Sequence, residues 1–178
     1  MKKTILFKAL ALIVAMTASI SLVACGDDDD DDGPSSDDSL KSLSVNYEAI
    51  MTEDLFNFYD VTVEYGFAGK EDYSAKITQP NWSAQINYDV KSVQRPADVY
   101  CNIVATPKAD RPDIDPDKTY SIKSQNSAVV TGVYSNNKTS ILSIRETTHP
   151  SLALKGDKLP TLLDRGEYKV LTFSYTLK

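Results

Sequence analysis

The chain has 178 residues, 42% of them hydrophobic and 25% charged, with only 2 cysteines and a formal net charge of −6. From residue 40 onward 17 acids meet 16 bases, so there is no basic surface of the kind that neutralises phosphates, and nucleic acid is excluded as an expected partner. The 139 residues of 40–178 are a usual size for one domain and bury about two thirds of the surface of the unfolded chain, so no disulfide staple is required.

Residues 1–24 have the layout of a secretory signal peptide. Lys2, Lys3 and Lys8 flank the start, and the stretch 9–24 carries no charge. That apolar run is 16 residues long, whereas a helix needs about 20 to cross a bilayer, and aspartates follow at once. A cleaved signal is therefore expected rather than a permanent span. Without the three signal lysines, 16 bases face 25 acids, a net −9 for the chain from Cys25. Residues 25–39 form an acidic tether, with Asp27, Asp28, Asp29, Asp30, Asp31 and Asp32 in a row, then Gly33, Pro34 and several serines, and no apolar residue to bury. Fully extended, the 14 residues of 26–39 reach at most about 50 Å.

Leu22, Val23, Ala24 and Cys25 stand in the order apolar, apolar, small, cysteine, which resembles the lipobox of bacterial lipoproteins. The resemblance covers only this first part of the chain. It implies cleavage between Ala24 and Cys25 after the Cys25 thiol has received a diacylglycerol, and a mature protein held by fatty chains such as palmitate. Two or three such chains anchor a protein almost permanently at about 0.8 kcal/mol per buried CH₂. The aspartate run directly after Cys25 resembles the acidic export signal of surface-exposed lipoproteins of the Bacteroidota, which implies the outer face of the outer membrane. Asp38, Ser39 and Leu40 resemble the short O-glycosylation motif of the same bacteria.

From residue 40 the apolar residues recur with period two, the signature of half-buried strands. Leu43, Val45, Tyr47 and Ala49 make the first expected strand, and Tyr59, Val61, Val63, Tyr65 and Phe67 the second. Gly69 to Asp72 supply a hairpin turn into Tyr73, Ala75 and Ile77, and Pro80 with Asn81 breaks that strand before Trp82, Ala84, Ile86, Tyr88 and Val90. Val99, Cys101, Ile103 and Ala105 follow, then a loop over 107–118 rich in Asp and Pro. Separate strands are expected at 119–122 and 128–134, with the polar turn Ser135, Asn136, Asn137, Lys138 leading into 140–144. Pro160 suits the first turn of a short helix over 159–163, and Leu171, Phe173, Tyr175 and Leu177 share one face of the last strand, 168–177. Short strands without helical alternation predict an all-β fold, an antiparallel two-sheet sandwich that is immunoglobulin-like or related, with a closed barrel as the alternative.

The chemistry-bearing residues are few. Asp113, Asp115 and Asp117 have the alternate spacing of oxygen ligands for calcium. A calcium loop begun at Asp113, however, would put Lys118 where glycine is required and Ser124 where a bidentate glutamate is required, so a solvated loop and no metal are expected. The single histidine, His149, precedes Pro150 and is expected in a loop. Neither G-x-S-x-G nor HExxH is present, and Ser135 to Lys138 match S-x-x-K only as a turn. Cys101 shares the alternation of Val99 and Ile103 and is expected to be inert. Tyr59, Tyr65 and Tyr88 belong to the core pattern, while Tyr100, Tyr134 and Trp82 are candidates for a surface platform that holds sugars or a protein. The reading is a non-enzymatic surface lipoprotein that binds a carbohydrate or protein ligand or acts in adhesion, without cofactor. Its alternative is a structural subunit or accessory of a surface assembly, with 168–177 as a strand to donate.

Overall fold

The structure is a computed structural model and describes residues 39–68, 70–91 and 93–178. The period-two pattern becomes eight strands and two short helices. In order these are β1 (Leu40–Met51), α1 (Glu53–Phe58), β2 (Tyr59–Phe67), β3 (Tyr73–Ile77), β4 (Asn81–Asp89), β5 (Ala97–Pro107), β6 (Thr119–Tyr134), β7 (Thr139–Lys155), α2 (Leu159–Leu163) and β8 (Tyr168–Leu177). They form two four-stranded sheets with the orders β4-β1-β6-β7 and β3-β2-β5-β8, and every pairing is antiparallel. The fold is thus the expected all-β sandwich and not a closed barrel. The order β8-β5-β2-β3 matches the G-F-C-C′ sheet of an immunoglobulin variable domain. In the other sheet β1 and β4 stand as B and E, β6 takes the place of A, β7 lies beyond it, and among the described residues no strand fills the D position beside β4.

The alternation sets the core. Leu43, Val45, Tyr47, Ala49 and Met51 of β1 face Val61, Val63, Val99, Cys101, Ile103, Leu171 and Phe173 of the other sheet, all buried. Asn46, Glu48 and Ile50, alternate residues of β1, are exposed.

Three expectations change. The runs 119–122 and 128–134 are one 16-residue strand, β6, because the alternation passes through Ser124 and Asn126, which point inward at 0% and 2% exposure. Polar residues on the inner face hid this continuity. Asn126 Nδ2 donates to the carbonyl of Val170 at 2.7 Å and to Ser124 Oγ at 3.2 Å, tying β6 to β8 across the core, while Asn126 Oδ1 has no partner. Second, β7 does not stop near residue 144 but continues to Lys155, so His149 and Pro150 lie in a strand and not in a loop. β7 is an edge strand, where a proline costs no ladder hydrogen bond on the free side. Third, α1 was not foreseen, since six residues are too few to show a helical period. It buries Leu55 and Phe58 and is tied down by Ser121 N–H, which donates to Asp54 Oδ2 at 2.8 Å.

The turn at 135–138 forms as expected, with Asn137 at φ 65° and Tyr134 N–H donating to the Lys138 carbonyl at 3.0 Å. α2 starts as its proline predicts and buries Leu159 and Leu163. Ser39 and Lys178 lie at the same end of the sandwich. Ser135 N–H donates to the Ser39 carbonyl, Arg95 Nη1 donates to the Lys178 carbonyl, and Leu40, Tyr134, Tyr175 and Leu177 line one shallow groove there. The opposite end carries α1, the loop 108–118 and α2. That loop packs so closely on Gly156 that a Cβ there would overlap the Asp115 carbonyl.

Candidate functional site

The inner faces of the strands are not equally covered. Buried residues fill the inner faces of β1 and β5, but Trp82, Ala84, Ile86 and Tyr88 of β4 are each only half-buried despite the same alternation. Two features of the topology cause this. Among the described residues β4 has no neighbour on its far side, and β3, on the edge of the facing sheet, is only five residues long. That side of the sandwich therefore shows its aromatic interior.

β2 and β3 complete the surface with Tyr65 and Tyr73, which are directly paired across the strands. Their rings stack with centroids 4.7 Å apart and planes at 28°, and Tyr65 lies 6.1 Å from Trp82 and 5.7 Å from the buried Tyr47. Tyr88 closes the row against Phe67 at 4.9 Å. Tyr73 is the outermost member, 49% exposed. Burial, followed by neighbouring tyrosines and the Cys101 thiol, raises the phenols of Tyr65 and Tyr88, the latter to about 12. The hydroxyls stay protonated in any ordinary medium. Such a surface offers ring faces and hydroxyl donors but no acid, base or nucleophile.

No family model, curated protein or solved structure matches the chain.

The three platform candidates do not converge. Trp82 belongs to the β4 side. Tyr100 lies on the outer face of the other sheet, over Gly66, whose missing Cβ leaves room for the ring. Its hydroxyl is hydrogen-bonded to Asp72, which with partial burial pushes the phenol up to about 12. Its carbonyl accepts the Tyr47 hydroxyl at 3.0 Å. Tyr134 lines the groove near Ser39. Of the three tyrosines assigned to the core, Tyr59 is buried, but Tyr65 and Tyr88 are half-buried members of the aromatic side. Tyr73, the most exposed ring, was not singled out from the sequence. The signal was its place as first residue of a short strand that cannot cover the strand opposite.

The remaining candidates lie elsewhere. Asp115 Oδ1 accepts the Asp117 N–H at 2.9 Å, Asp115 N–H donates to Tyr120 Oη at 3.0 Å, and the Lys118 ammonium lies 5.0 Å from the Tyr120 ring centre. Among the described residues no three His, Cys, Asp or Glu side chains are placed to hold a metal ion. Cys101 is fully buried, and burial pushes its thiol to about 12. The backbone of His149, in β7, pairs with Ser124 of β6. Ala24, Cys25 and the aspartates at 27–32 lie outside the described residues.

Proposed function

We propose that the chain is a lipid-anchored, surface-exposed binding or adhesion module without enzymatic activity, and that its contact surface is the side formed by Trp82, Tyr65, Tyr73 and Tyr88. The observation that carries this reading is the partly covered inner face of β4, which with Tyr65 and Tyr73 groups four aromatic rings on one side of the sandwich, while the other exposed large apolar side chains among the described residues, Ile50, Ile141 and Ile144, are aliphatic. Grouped aromatic side chains supply large rigid contact area for a carbohydrate ring or a protein partner. The lipobox resemblance at Cys25 and the aspartates behind it support anchoring at the outer membrane and display on the cell surface.

The alternative role, as an assembly subunit that donates its last strand, has less support. β8 is paired with β5 along most of its length and buries Val170, Leu171, Phe173 and Leu177, so releasing it would open the core.

The test uses whole cells. Cys25→Ala should abolish fatty-acid labelling. Replacing the aspartates at 27–32 by serine should keep the label but remove access to protease on intact cells. Cells displaying Trp82→Ala or Tyr73→Ala should be retained less on mucin- and collagen-coated surfaces, or aggregate less with one another, than cells displaying the native chain. Retention and aggregation unchanged in both variants would place the contact surface elsewhere.

A further inference from the structure

A sandwich of two open sheets has four edge strands, and natural edges are blunted by short length, lysine, proline, bulges or inward charge. Three of the edges here are. β3 has five residues and carries Lys76. β7 contains Pro150 and pairs with β6 through two register shifts. β8 carries Lys169 and a register shift against β5.

β4 has none of these features. It pairs with β1 over nine consecutive residues, from Asn81 opposite Ile50 to Asp89 opposite Ser42, without a shift. Its sequence NWSAQINYD holds no lysine, arginine, proline or glycine, and its only charge is on the last residue. It is an edge of unbroken register with an apolar inner face that is only partly covered.

The same nine residues are close to a chemical palindrome about Gln85. In an antiparallel pairing of two β4 strands on a twofold axis at Gln85, Trp82 stands opposite Tyr88, Ala84 opposite Ile86, Ser83 opposite Asn87 and Asn81 opposite Asp89. Aromatic meets aromatic and small meets large on the inner face, polar meets polar on the outer face, and no like charges meet. A second copy is the one partner whose edge has this complementarity by construction, and a twofold contact uses the same patch on both copies.

We propose that the occupant of the aromatic side is a second copy of this chain, joined β4 to β4 in antiparallel register centred on Gln85, so that two four-stranded sheets become one of eight strands. The proposal rests on the reading of this side as the contact surface and names its partner. The added strand takes the position beside β4 that no described residue fills and covers the partly exposed Trp82, Ala84, Ile86 and Tyr88. Because the strands run in opposite directions, Ser39 of the two copies lies at opposite ends of the joined sheet. Copies anchored on facing surfaces meet in this geometry, which makes the contact suited to adhesion of like to like.

The experiment uses the chain from Gly26 to Lys178, made without signal or lipid. Sedimentation equilibrium from about 1 µM to about 1 mM, the range in which small interfaces associate, should show reversible monomer and dimer. Gln85 is exposed on the outer face, so charging it spares the core. Gln85→Lys and Gln85→Glu each set like charges opposite each other at the axis and should weaken the dimer about fivefold, whereas an equal mixture of the two should recover it. Gln85→Cys should form a disulfide-linked dimer under mild oxidant, since directly opposite Cα atoms about 4.5–5.5 Å apart suit a disulfide, and Asn87→Cys, whose mate is Ser83, should not. A native chain that stays monomeric throughout, a dimer indifferent to both charges, or equal cross-linking at 85 and 87 would overturn the proposal. If the chain is monomeric while Trp82→Ala still lowers retention on coated surfaces, the contact surface stands and only its assigned occupant is lost.

Discussion

Replacing Cys101 by valine should lower stability at pH 7 only slightly and make the domain more stable than the native chain at pH 11. The thiol sits on β5 with no exposure, and burial raises its pKa from 9.0 to about 12. In the unfolded chain the thiol is two pH units above its pKa at pH 11, so ionisation lowers the free energy of that state by about 2 to 3 kcal/mol, while the folded thiol remains almost wholly protonated. The stability it contributes is fully present below pH 9 and is lost as the pH rises toward 12. Valine adds one γ carbon to the buried site, should cost about 1 kcal/mol at pH 7 as an offset independent of pH, and does not titrate. Tyr47, Tyr59, Tyr65, Tyr88 and Tyr168, raised chiefly by burial, destabilise both proteins above pH 10, and that burial effect cancels from the comparison, whereas the smaller effect of the Cys101 thiol on Tyr47, Tyr65 and Tyr88 is removed with the thiol. The assay is urea unfolding of both chains at pH 7, 9, 10 and 11, followed by the fluorescence of Trp82. Parallel stability profiles that stay within about 0.5 kcal/mol of a constant offset would refute the reasoning, since they would mean that the thiol ionises equally in both states.

Val63, buried at the centre of the β2 ladder, should cost on the order of 1 to 3 kcal/mol when truncated to alanine, seen as a lower urea midpoint at unchanged slope. Gly156→Ala forces the loop 108–118 away from its seat, because the new Cβ overlaps the Asp115 carbonyl. It should cost on the order of 1 to 3 kcal/mol and open the loop to limited proteolysis. Calcium should leave the thermal midpoint unmoved, because Asp115 already binds the Asp117 amide and Lys118 stands beside it. A rise of several degrees in millimolar calcium that Asp115→Ala removes would show a site there.

The strands that the sequence shows plainly are those whose inner positions are apolar throughout. β1, β2 and β5 follow from Leu43, Val61 and Val99 and their alternates because each inner residue adds to the same periodic signal. β6 was split because Ser124 and Asn126 occupy inner positions, and a buried polar pair that bonds across the core has no mark in the one-dimensional pattern. β7 was cut short because Pro150 signals a break, and only the sheet order shows that its strand lies at an edge where proline is tolerated. The aromatic side had the same difficulty. The alternation of Trp82, Ala84, Ile86 and Tyr88 is that of any buried face, and their partial exposure follows from the lack, among the described residues, of a strand beside β4, which none of these four residues encodes.

The nearness of Ser39 to Lys178 decides how the protein can be labelled. A reporter fused after Lys178 leaves the fold beside the tether, so on an anchored chain it would stand in the shadow of the domain and be the last part an antibody reaches. An epitope placed in the loop 108–118 would stand at the far end, separated by roughly the length of β1, about 40 Å for 12 residues. The two tags on otherwise identical chains make a ruler: if the chain is anchored at the cell surface as proposed, the ratio of their staining on living cells would give the depth at which the domain sits there.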